Sequence, residues 1–129
     1  MSVIGIGIDT VEIERFRKIA EQRGERFLEK IFTSGEMKYA ESKKARFIHM
    51  AGKFAAKEAV KKALPNGAEI GLNWPEIEIL NTEEGKPYVR LHGQAGKLAE
   101  EFKLTKVLVS ISHTRGIAAS NAVVIKDGA

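Results

Sequence analysis

A-R-F-I-H-M-A-G-K-F-A-A-K-E-A-V-K-K-A-L, residues 45–64, sets the architecture of the chain. No proline interrupts it, and Phe47, Met50, Ala51, Phe54, Ala55, Ala59 and Ala63 recur at helical spacing, which predicts the longest helix of the molecule. Pro65, Asn66 and Gly67 end it. Upstream, Val3, Ile4, Ile6 and Ile8 with Gly5 and Gly7 between them predict a buried strand that stops on Asp9, its glycines allowing close backbone approach. Val11, Ile13, Phe16, Ile19 and Ala20 then predict a helix to about Arg23, and Phe27, Leu28, Ile31 and Phe32 a second one after Gly24. Thr33 or Ser34 followed by Glu36 reads as a helix start, with the helix running to about Lys43.

Downstream of the long helix the period changes. Ile77 and Ile79, then Tyr88, Val89 and Leu91, flank a turn at Glu84, Gly85 and Lys86 and predict a β-hairpin. Residues 95–102 predict a short helix, and Val107 to Ile111 and Ile117 to Ile125 two strands about Thr114, Arg115 and Gly116. Helices gathered early and hairpins late argue an α+β fold rather than alternating βαβ units. With 129 residues, no repeats and no evident linker, one domain spanning 1–129 is expected.

The absence of cysteine excludes disulfides, thiolate metal sites and a cysteine nucleophile. No apolar run approaches the roughly 18 residues of a membrane span, and the opening M-S-V-I-G-I-G-I-D carries its first charge as an acid, so a cytoplasmic protein with no membrane partner is expected. The net charge of +4 is unevenly placed: residues 15–62 hold 14 bases against 6 acids, while residues 65–129 hold 7 against 8. Such a field reads either as solvated helix faces or as a surface for a polyanionic ligand or an acidic protein.

Several familiar chemistries fail on spacing. The third glycine of G-x-G-x-x-G would fall on Thr10, no P-loop occurs, and Ser110, Ser112 and His113 lack the G-x-S-x-G context of a hydrolase nucleophile. The informative residues are Asp9, on the glycine-bearing strand, and Glu58, on a helix with small neighbours Ala55, Ala56 and Ala59 that leave room for a ligand. Two carboxylates from separate elements suit Mg²⁺, a hard cation that keeps water and substrate phosphates as its remaining ligands. Lys62 lies one helical turn after Glu58, which fits a surface ion pair or a group set to neutralise a phosphate.

G-I-G-I-D at 5–9 with V-E-I-E-R-F at 11–16, A-G-K-F-A-A-K-E-A-V-K-K-A at 51–63 and S-I-S-H at 110–113 together resemble the holo-acyl carrier protein synthase family, the small bacterial class of 4′-phosphopantetheinyl transferases. F-T-S-G-E at 32–36, W-P-E-I-E-I at 74–79 and G-K-P-Y-V at 85–89 extend the resemblance over nearly the whole chain. The resemblance implies an α+β phosphopantetheinyl transferase fold, with the N-terminal strand and helices packed on a small, mainly antiparallel sheet. It also implies a homotrimer with active sites at subunit interfaces.

The implied reaction transfers phosphopantetheine from coenzyme A to a serine of apo-acyl carrier protein, releases adenosine 3′,5′-bisphosphate and serves fatty acid biosynthesis. By the same resemblance Asp9 and Glu58 are Mg²⁺ ligands, and Asp9, Glu58 and Lys62 carry the catalysis. Lys44, Lys53, Lys57, Lys62, Gly67, His113 and Thr114 meet coenzyme A, and Arg15, Arg23 and Arg26 meet the acidic carrier protein. Two positions depart from the family pattern. Pro65 stands where glycine is frequent and has no N–H to offer a phosphate, which leaves Gly67 as the nearby donor. Lys53 stands where arginine is common and supplies a point charge in place of a fork. Two other readings compete: a nucleic-acid-binding module, favoured by the basic residues 15–62 but without a recognisable motif, and a metal-dependent phosphohydrolase using the same two acids.

Overall fold

Strand β1 (Ser2–Glu12) lies against helix α4 (Arg46–Ala63) so closely that a Cβ on Gly5 would sit 1.8 Å from the Ala63 carbonyl oxygen, and one on Gly7 2.0 Å from that of Ala59. Only glycine permits this approach, and the alanines of α4 supply the matching flat surface. The computed structural model describes residues 1–128. Between these two elements the chain forms α1 (Ile13–Arg23), α2 (Glu25–Ile31) and α3 (Ser34–Glu41). After α4 come the single-turn α5 (Gly67–Ile70), a 3-10 turn (Trp74–Glu76), the hairpin β2 (Ile77–Asn81) and β3 (Pro87–Leu91), then α6 (Gly93–Glu101), β4 (Lys106–His113) and β5 (Ile117–Lys126).

The strands form two antiparallel sheets, one ordered β1-β5-β4 and the other β2-β3, so the α+β expectation holds. Helix α4 packs between two apolar cores. On one side Ala59, Val60 and Ala63 meet Ile77, Ile79, Ala122 and Val124; on the other Met50 and Ala51 join Phe16, Leu28, Phe32 and Met37. Helix α3 begins with a capping box: Thr33 Oγ1 accepts from the Glu36 N–H, and Glu36 Oε1 accepts from the Thr33 N–H at 2.8 Å.

Two expectations for β1 are corrected. The strand does not stop on Asp9 but continues to Glu12, because Asp9, Thr10, Val11 and Glu12 stay paired with Ser120, Ala119, Ala118 and Ile117 of β5. Nor is it buried on both faces. Gly5, Gly7, Asp9 and Val11 face α4, while Ile6 and Ile8 point outward, 73% and 66% exposed. A two-residue period allows only one of the two sets to face inward, and the glycines take that side.

Candidate functional site

The corrected register puts Asp9 on the helix-facing side of β1, two residues beyond Gly7 and opposite the buried Ser120. It shares a cleft of about 430 Å³ with Glu58, Arg15, Phe16, Ile19 and Phe54. Burial, and then the negative charge of Asp9, push the Glu58 carboxyl above the ordinary carboxylate range. The two carboxylates therefore repel one another across the cleft, which Arg15 also lines. Lys62 partly offsets that repulsion from one turn further along α4, its Nζ donating to Asp9 Oδ1 at 3.2 Å and to the Ile8 carbonyl at 3.0 Å. Of the two readings open for Lys62, a surface ion pair with Glu58 one turn back is not the one formed; its ion partner is Asp9, across elements. Two oxygen donors from a strand and a helix, open to a cleft and repelling one another, fit a hard divalent cation that keeps several ligands from water and substrate. Among the described residues there is no cluster of three or more His, Cys, Asp or Glu suited to a metal.

A second, narrower recess of about 170 Å³ lies between α3, α4, β4 and the β2–β3 hairpin. Tyr39, His49, Lys53, Asn81, Gly85, Pro87 and His113 line it. Burial, reinforced by Lys43, His113 and Lys53, lowers the His49 pKa, which favours the neutral ring. Thr114 follows in the turn, its Oγ1 accepting the Gly116 and Ile117 N–H groups. Lys44 is exposed in the turn that precedes α4. His49, Tyr39, Asn81 and Pro87 were not singled out by the sequence, because nothing in their local pattern marks residues that meet only through α3, α4 and the hairpin.

A third surface depression carries Arg23, Arg26 and Lys30 around Phe27, Ile31, Phe54 and Trp74. It is linked to the Asp9 cleft through Phe54, which lines both. Three residues expected to meet coenzyme A are engaged elsewhere: Lys53, whose ammonium donates to the Ile79 carbonyl and Asn81 Oδ1, Lys57 and Gly67. Lys57 is wholly enclosed: its ammonium donates to Glu36 Oε1 at 2.8 Å, the Ile77 carbonyl at 2.6 Å and the Trp74 carbonyl at 3.1 Å, which uses all three of its hydrogens. Gly67 donates its N–H to the Leu64 carbonyl at 3.0 Å and so does not replace the donor missing at Pro65.

Residues 5–120 match the model of the 4′-phosphopantetheinyl transferase superfamily. The chain belongs to that superfamily. A curated holo-[acyl-carrier-protein] synthase of Protochlamydia amoebophila is 44% identical over 120 residues, covering 93% of this chain and 96% of the relative. Among solved structures, the acyl carrier protein synthase of Plasmodium yoelii with ADP bound is 34% identical with a TM-score of 0.85, covering 98% of each chain. The Helicobacter pylori holo-[acyl-carrier-protein] synthase in complex with coenzyme A is 31% identical with a TM-score of 0.78, covering 93% of this chain and 99% of that one. The superfamily assignment gives the Asp9–Glu58 cleft and the basic recess a common chemical context, since a phosphopantetheinyl transferase must hold a polyanionic donor.

Proposed function

We propose that the chain transfers 4′-phosphopantetheine from coenzyme A to a serine of apo-acyl carrier protein, giving holo-acyl carrier protein and adenosine 3′,5′-bisphosphate. The reaction uses Mg²⁺, takes place in the cytoplasm and serves fatty acid biosynthesis. The observation that carries this reading is the Asp9–Glu58 pair facing one cleft with Lys62 beside it, in a chain of the superfamily. Asp9 and Glu58 would hold the Mg²⁺, which when bound supplies positive charge to the pyrophosphate. Lys62, whose ammonium is exposed and bonded to Asp9 and the Ile8 carbonyl, turns to a phosphate oxygen and offsets charge on the leaving group. The serine Oγ–phosphorus bond forms at the β-phosphorus as the bridging P–O bond breaks, its electron pair leaving on adenosine 3′,5′-bisphosphate, and the serine proton passes to solvent water.

Arg15 borders the Asp9 cleft, and Arg23 and Arg26 rim the neighbouring depression, so an acidic carrier protein seated there presents its serine beside the two carboxylates. The narrow recess, which His113 lines, takes the nucleotide, and Thr114, next along the chain, and Lys44, exposed in the turn before α4, complete the contact set. Lys57 and Gly67 are left out of that contact set because their donors are already engaged. A homotrimer is part of the same reading. Ile6, Ile8 and Leu108, the last 50% exposed, together with Val123 form an apolar face on the β1-β5-β4 sheet opposite α4, a patch that further copies of the chain would cover. Ile8 and Asp9 project from opposite faces of β1, so that interface would reach the active site through Lys62, which lines the patch beside Ile6 and Ile8 and donates to Asp9.

Release of adenosine 3′,5′-bisphosphate tests the reading. Release that requires both Mg²⁺ and apo-acyl carrier protein is expected. Cleavage of coenzyme A without the acceptor would mark a phosphohydrolase instead, and salt-sensitive oligonucleotide binding without turnover a nucleic-acid module.

A further inference from the structure

Lys53 lines the nucleotide recess, yet its side chain is 3% exposed. Its ammonium has three hydrogens, and each has a destination within the protein. One goes to the Ile79 carbonyl at 2.5 Å and one to Asn81 Oδ1 at 2.5 Å. The third side of the nitrogen lies over the Tyr39 ring, 4.6 Å from its centroid. Asn81 in turn donates from Nδ2 to the Gly85 carbonyl at 3.1 Å. The hairpin loop is closed just beyond by Thr82 N–H to the Lys86 carbonyl at 2.9 Å and Lys86 N–H to Thr82 Oγ1 at 3.1 Å. Gly85 and Pro87, the far end of this chain of bonds, form the wall of the recess that faces His49 and His113.

We propose that Lys53 is a positioning residue for the nucleotide recess: it fixes the β2–β3 hairpin against α4 through Ile79 and Asn81 and makes no contact with a coenzyme A phosphate. The inference rests on the coenzyme A reading above and assigns Asn81 the same task from the other side of the bond. A side chain that touched the 3′-phosphate would discriminate coenzyme A from dephospho-coenzyme A, which lacks it. A side chain that shapes the wall treats the two alike, because the adenosine seat they share is what changes.

The test compares Lys53→Met, Lys53→Arg and Asn81→Ala with the unmodified protein, using coenzyme A and dephospho-coenzyme A as donors and apo-acyl carrier protein as acceptor. Amide hydrogen exchange across residues 81–87 is followed in the absence of any donor. The tether predicts faster exchange at Thr82 and Lys86 in both Lys53→Met and Asn81→Ala. It also predicts KM raised about tenfold for both donors alike, the loss of one charge-assisted hydrogen bond, with kcat within about twofold. Lys53→Arg, which keeps the charge and the donors, restores most of the loss. A KM increase confined to coenzyme A, or unchanged exchange in the hairpin, overturns the proposal. Should Lys53→Met fail to fold, Asn81→Ala, altered at a half-buried position, decides the matter alone. Failure of the unmodified protein to bind coenzyme A would overturn the functional reading, while the exchange rates would still decide whether Lys53 holds the hairpin.

Discussion

Asp9 and Glu58 are the residues on which the proposed function turns, and their substitution separates chemistry from folding. Asp9→Ala and Glu58→Ala are each expected to cut Mg²⁺-dependent transfer by more than about a hundredfold, as for loss of a group that holds catalytic charge. Neither change removes a packed apolar group, so the circular dichroism spectrum and melting temperature should stay near those of the unmodified chain; near-full turnover in a folded variant would show the metal assignment to be wrong. Lys53 gives a pH-dependent signature. Burial lowers its pKa to about 8 from the ordinary 10.5 against the opposing charges of Glu36 and Glu78, with Lys57 adding to the lowering and Tyr39, His49 and Asn81 also about it. Between those two values the unfolded chain binds more protons than the folded one, so this group's contribution to stability rises with pH there. The cost of burying its charge is full below about pH 8. Urea melts should show the unmodified protein gaining on Lys53→Met from pH 8 to 10; a constant difference would remove Lys53 as the titrating group.

Helix α4 shows how far an element can be read from its sequence and where that reading stops. Its existence followed from spacing, and Gly5 and Gly7 marked a close backbone approach on β1, because periodicity and the lack of a Cβ are local properties; that α4 is the partner in that approach was visible only in the fold. Gly7→Val is expected to destabilise the fold by about 3 kcal/mol or more, since even the first added carbon meets backbone that cannot yield. The face that β1 turns to solvent was not legible, because an alternation of glycine and isoleucine fits either orientation until a partner is known. The burial of Lys57 was equally hidden: its neighbour Glu58 faces the cleft, and the 100° turn of one helical residue carries Lys57 into the core instead. There it meets Glu36, whose other oxygen accepts the Ile79 N–H at 2.7 Å, so a single carboxylate joins α3, α4 and β2. Lys57→Met leaves that carboxylate buried without its counter-charge and should cost about 3–5 kcal/mol. Combining it with Glu36→Gln should cost less than the sum of the two single changes in denaturant melts, as for directly coupled partners.

For the molecule as a whole, the sequence indicated an α+β chain with two carboxylates and a basic half, while the structure distributes those bases among three sites of different character. Arg15, Arg23 and Arg26 stay at the surface, Lys62 pairs with Asp9, and Lys53 and Lys57 enter the interior. Charge counting could not separate them, because exposure depends on contacts formed across the fold. Self-association is tested on the outer sheet face: Leu108→Glu places a charge on the apolar row with Ile6 and Val123 and should shift the chain from trimer to monomer in light scattering. A trimer undisturbed by that change would place the interface elsewhere. The measurement that bears most directly on the account is the intact mass of apo-acyl carrier protein after incubation with the purified protein, coenzyme A and Mg²⁺, with and without EDTA. The account predicts that the carrier gains one phosphopantetheine only when the metal is free; an unchanged carrier beside a folded enzyme that binds coenzyme A, or a gain that persists in EDTA, would contradict it.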